Sequence, residues 1–212
     1  MSGRRAITGF AILALLLIVE CAGTKLFKQP ETIKPLDAYA DPVLKDVAQM
    51  LYPGFLEIRD EFQQQFGEGH LELMQYSLQV KELPEQSGIS SGYYVNLTSR
   101  IQSGLPQNEP YLSQAEYITE QYLHNVLMVL SRDWNNIFSP SMAGVDIQFY
   151  WGSRDTTSTD AIQYILQNQD VQDYLNARMT LQELIDKNFV EGTERGKSLG
   201  RIELNGLGVE QL

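Results

Sequence analysis

The sequence predicts an α+β domain, with an antiparallel or mixed sheet of four to five strands packed by a long central helix and a kinked N-terminal helix. Three observations predict it. Ser113 to Ile137 carries a helical apolar repeat long enough to cover a sheet. Val145 to Trp151 alternates with a period of two. The segments around them read as a paired hairpin and a group of short helices, which segregates strands from helices.

The central helix is anchored on Ala115, Ile118, Tyr122, Leu123, Val126, Leu127, Val129, Leu130, Trp134 and Ile137. Ser113 with Glu116 has the spacing of a capping box. Ser139-Pro140 ends the helix, because proline disfavours the helical region for the residue before it. In the strand that follows, Val145, Ile147, Phe149 and Trp151 share one face, and Asp146, Gln148 and Tyr150 are expected on the wet one. Upstream, Asp41-Pro42 is a helix start, and Val43, Val47 and Leu51 line one face before Pro53-Gly54 kinks or splits it. Phe55, Ile58, Phe62 and Phe66 continue the stripe to Gly67. Leu71 to Val80 alternates with a phase slip near Leu73-Met74, the mark of a β-bulge. Tyr93 to Ile101 pairs with it across a loop rich in turn residues. Downstream, Ala161 to Leu166 reads as a strand. Gln169 to Ala177 and Leu181 to Asn188 read as helices, the second with a Thr180/Glu183 capping box, and Leu199 to Leu204 as a short last strand. Parallel crossovers are not favoured by this order.

The N-terminus determines where the chain is expected to go. Arg4 and Arg5 precede an apolar run from Ala6 to Val19, and Glu20 stops it. The run is shorter than the roughly 20 residues a spanning helix needs, so residues 1–23 read as a signal peptide or membrane anchor. Cys21 is the only cysteine and cannot form an internal disulfide. With Ile18 three residues before it and Val19 two before, it resembles the lipobox of bacterial lipoproteins. Glu20 departs from the small residue that pattern has before the cysteine. The resemblance implies lipidation of Cys21 and anchoring on the extracytoplasmic side of a membrane. Ordinary cleavage after Cys21 or Gly23, with secretion, is the other reading. Residues 24–40 read as a flexible tether, 41–206 as one domain and 207–212 as a loose tail.

A net charge of −11 without a basic stripe argues against nucleic acid as a partner. The 212 residues hold two histidines, His70 and His124, and no Cys-x-x-Cys or His-Glu-x-x-His pattern, so neither a metal site nor a cofactor is expected. No nucleophile elbow, Walker loop or dinucleotide fingerprint occurs. Asn96-Leu97-Thr98 is a glycosylation sequon. No catalytic residue is named. The candidate recognition patch is Tyr150, Trp151, Arg154 and Asp155, a strand ending in aromatics before a polar turn. Against it stands the alternative that Trp151 is core and Tyr150 covers the opposite sheet face. The expected function is that of an exported, membrane-tethered binding or accessory protein of the cell envelope, with an unknown envelope protein as partner. The alternative is a secreted hydrolase with a site assembled around His70 or His124.

Overall fold

The computed structural model describes residues 31–67, 70–86, 88–105, 108–152 and 159–207. Cys21, Arg154 and Asp155 lie outside the described residues. The chain builds one mixed sheet whose strands lie in sequence order: β1 (Leu71–Leu83), β2 (Gly92–Ile101), β3 (Met142–Gly152), β4 (Thr159–Gln167), β5 (Phe189–Glu194) and β6 (Lys197–Arg201). The helices are α1 (Pro42–Phe66), α2 (Tyr111–Ile118), α3 (His124–Leu130), α4 (Trp134–Ile137), α5 (Asn168–Leu175) and α6 (Leu181–Lys187).

The α+β class holds, but the sheet has six strands rather than four to five. The strand that the periodicity missed is β5. Its core-facing positions are Val190 and Gly192, so a single apolar side chain carries the pattern. The last strand also lies earlier than expected; after the Ile202 amide has bonded to the Val190 carbonyl, the chain turns to pack Leu204 and Leu207 into the core. Contrary to the expectation against parallel crossovers, one pairing, β2 with β3, is parallel; the other four are antiparallel. The parallel pair follows from the connection, because α2 to α4 cross the sheet and return the chain at the end where β2 began.

Asp41 caps α1 as its sequence implies: Oδ1 accepts from the amides of Val43 at 2.7 Å and Leu44 at 3.3 Å. The helix continues through Pro53 instead of splitting. Pro53 and Gln49 are both exposed, so the carbonyl deprived of its partner faces water. Gly54 is buried, and a Cβ placed there would lie 1.8 Å from Asp133 Oδ2; the missing side chain lets α1 approach the turn after α3.

The central helix starts at Tyr111, after Pro110, so Ser113 is not its cap. Glu116 accepts instead from the amide of Asn205 at 3.3 Å. Between α2 and α3 the chain widens into a π-helical segment, Thr119–Leu123. There the Thr119 hydroxyl donates to the Ala115 carbonyl at 2.7 Å and accepts from the buried Tyr164 hydroxyl, 2.6 Å away. The anchor positions Ala115, Ile118, Leu123, Val126, Leu127, Leu130 and Ile137 are all buried.

The helices share one core with one face of the sheet, where Val95, Leu97, Val145, Ile147, Phe149, Ile162 and Leu166 point. At the β1 edge, four residues (Met74 to Ser77) bulge out between Leu73 and Leu78. Residues 31–34, expected in the tether, pair there: Tyr76 N donates to Glu31 O, Leu78 N to Thr32 O, and Lys34 N to Leu78 O. Ile33 and Tyr39 are buried, and the Tyr39 hydroxyl accepts from Val80 N at 3.0 Å. Residues 31–39 therefore belong to the packed domain, and they cover the β1 edge around Tyr76 to Val80.

Candidate functional site

The sheet face away from the helices is organised by register. Glu72, Arg100, Tyr150, Ala161 and Thr193 stand opposite one another across five strands. The next row holds Thr98, Gln148, Gln163 and Glu191, and the third Gln79, Asn96, Asp146, Ile165 and Phe189. Successive side chains on a strand alternate between faces, so these rows share the face opposite Val95, Ile147 and Ile162.

Asp146 is the centre of this face. The sequence placed it on the wet side, yet it is fully buried. Three donors converge on its carboxylate: Lys81 Nζ at 3.2 Å, Asn96 Nδ2 at 3.0 Å and Gln163 Nε2 at 2.7 Å. Asn96 Nδ2 also bridges to the Asp146 carbonyl at 3.0 Å, while Asn96 Oδ1 accepts from Gln79 at 3.2 Å. A buried carboxylate is tolerated only with such partners. The arrangement fixes Gln163 and Asn96 across four strands. It also removes Asn96 as a glycan acceptor in the folded chain, because its amide is enclosed and bonded.

Beside Asp146 the face opens into a depression of about 100 Å³ lined by Gln148, Tyr150, Ala161, Gln163, Glu191 and Thr193. Ala161 is the small floor. The Tyr150 hydroxyl donates to Gln148 Oε1 at 3.2 Å, and burial followed by the charge of Asp146 raises its pKa above the ordinary tyrosine value. Glu191 accepts from the Ser198 hydroxyl at 2.7 Å. The lining thus offers amides, hydroxyls and one carboxylate. It is a surface for hydrogen bonding, with no nucleophile and base joined in it. At the far end of the same face Tyr94, Ile89 and Ile165 form a small second apolar cluster with Leu83, Ala143 and Phe189.

Of the residues singled out from sequence, Tyr150 belongs to this face. Trp151 points the other way: it is buried, stacks on Tyr111 with centroids 5.4 Å apart, and donates Nε1–H to Gln114 Oε1 at 2.7 Å. The two aromatics therefore do not form one surface. Both histidines are exposed. His124 Nδ1 lies 3.0 Å from the Tyr174 hydroxyl, with the two rings edge to face. The residues that sequence reasoning passed over are Lys81, Arg100, Gln163, Glu191 and Thr193, and Asn96 was read only as part of a sequon. Their signal is the polar half of each strand's alternation, which converges on one surface only once the register is known.

Among the described residues no group of three or more His, Cys, Asp or Glu side chains could hold a metal ion. Among the same residues no helix is long and apolar enough to cross a membrane. No protein-family model matches the chain, and neither a curated protein nor a solved structure matches it significantly.

Proposed function

We propose that the chain is an exported, membrane-tethered binding or accessory protein of the cell envelope, and that the uncovered face of its sheet is the binding surface. The observation that carries the reading is the pre-arranged polar face. Gln163 is held by the fully buried Asp146, and Gln148, Tyr150, Glu191 and Thr193 surround a depression beside it. Binding groups fixed by a rigid scaffold lose little freedom on association. The N-terminal charge, apolar run and Cys21 support export and tethering. The acidic balance of the chain leaves electrostatic adhesion to anionic headgroups without support, so attachment falls to the N-terminus.

The test is fractionation with intact mass spectrometry of the wild-type chain and Cys21→Ala, both made in the native host. The proposal expects the wild-type chain in the envelope with a processed, lipid-modified Cys21, and the variant released or left unprocessed. An unprocessed wild-type chain in the cytoplasm would end the tethering part of the reading.

A further inference from the structure

Arg100 is the uncommitted charge on the open face. Among the described residues its Nη1 is one of four buried side-chain polar atoms without a hydrogen-bond partner, and the only one from a cation. A guanidinium carries five donors and keeps its charge at any physiological pH. Leaving a buried charged donor unmatched costs more than leaving a neutral one. Arg100 sits on β2 directly opposite Tyr150 on β3 and Glu72 on β1, with Thr98 two residues away on the same face. Glu72 is the carboxylate closest in register, and it is engaged elsewhere, accepting from Gln102 Nε2. On the other side of Tyr150 lies the depression over Ala161.

We infer that Arg100 is the anchor for an oxyanion, a carboxylate or phosphate group, on a ligand whose uncharged, hydrogen-bonding part lies over Tyr150 in the depression beyond. This rests on the reading of that face as the binding surface and names the chemistry it recognises. The fork of the guanidinium presents parallel N–H groups that match the two oxygens of either anion. The depression holds about 100 Å³, room for a few heavy atoms or roughly three waters at about 30 Å³ each. Gln148, Gln163 and Thr193 supply both donors and acceptors there. Glu191 stands two strands from Tyr150 with Arg201 opposite it on β6, so Arg100, directly opposite Tyr150, is the cation nearest to Tyr150 in register.

The experiment is thermal unfolding of the full chain, in neutral detergent, titrated with inorganic phosphate in one arm and acetate in another, against chloride at matched ionic strength. A ligand at about ten times its Kd raises the midpoint by about 3 °C. Such a rise is expected in at least one arm, and the arm that responds tells phosphate from carboxylate. It is expected to vanish in Arg100→Gln and to shrink in Arg100→Lys, which keeps the charge and loses the fork. Arg132→Gln, which alters an arginine paired with Glu61 on the helical side, is expected to keep it. An equal rise in Arg100→Gln would mark a general salt effect and overturn the inference. A response in Glu72→Gln but not in the wild type would give Arg100 to Glu72 and overturn it too. A chain that shows neither shift yet still cross-links a partner from Gln148 would keep the surface and lose the anion.

Discussion

Asp146 shows how one residue can decide what a sheet face is for. Its side chain is shut away from water on the side of the sheet that no helix covers, and three donors hold its charge. Asp146→Asn keeps the volume but turns one acceptor into an amide facing donors. It is expected to cost about 2 kcal/mol of stability, in line with charged hydrogen bonds, and more than Lys81→Met, whose donor is partly solvated. Urea midpoints of both variants check the order. Gly144 sits where β3 and β4 approach closely. A Cβ there would stand 1.9 Å from the Leu166 carbonyl and 3.0 Å from the Tyr94 ring. Gly144→Ala therefore has to part β3 from β4 under Tyr94, at an expected cost of about 3 kcal/mol. An unfolding midpoint unchanged from the wild type would contradict that packing.

Among the elements, the local signals that were legible are those with short-range chemistry. Asp41 caps α1, and Thr180 with Glu183 forms the full capping box that opens α6. The Thr180 amide and hydroxyl hold the Glu183 carboxyl below the usual carboxylate range. A carboxyl depressed in the folded state adds stability above its unfolded pKa, and that contribution is lost as pH falls through the lowered folded value. Thr180→Ala is expected to lose about 1 kcal/mol at pH 7 and less in strong acid, where the hydroxyl–carboxylate bond is already gone and only the cap on the Glu183 amide is left to remove. Stability measured at the two pH values checks this; an equal loss at both would mean that the cap on the Glu183 amide carries the whole effect and the hydroxyl–carboxylate bond none. The bulge in β1 was also legible, as a slip in alternation. The start of the central helix was not, because Pro110 and the burial of Tyr111 set it, while Ser113 only has the right spacing. The unbroken α1 was hidden because solvent can satisfy the backbone at Pro53, which no local pattern records. The packing of residues 31–39 onto the sheet was hidden for a related reason. Ile33 and Tyr39 are isolated apolar residues whose partner is a bulged sheet edge far along the chain.

At the scale of the molecule, the helices bury one face of the sheet and leave the other to be shaped by register alone. The core face was readable from Val145, Ile147, Phe149 and Trp151, whose strand declares its apolar half. The candidate site was readable only in part. Tyr150 is in it, but Trp151 is spent on Tyr111 and the core. Arg100, Gln163 and Glu191 come from β2, β4 and β5, and meet only because those strands pair in that order. β5, which carries Glu191 and Thr193, gave almost no periodic signal of its own. The open face carries Arg100 on β2 and, opposite Glu191, Arg201 on β6. The lipobox-like N-terminus and the open face together support the proposal of a tethered binding surface. The most direct test is site-specific photo-crosslinking in the native host, with a photoreactive side chain at Gln148 on the open face and, separately, at the exposed Glu57 of α1. The account predicts one dominant adduct of defined mass from position 148 and none from position 57. The same adducts from both positions, or none from 148, would contradict it.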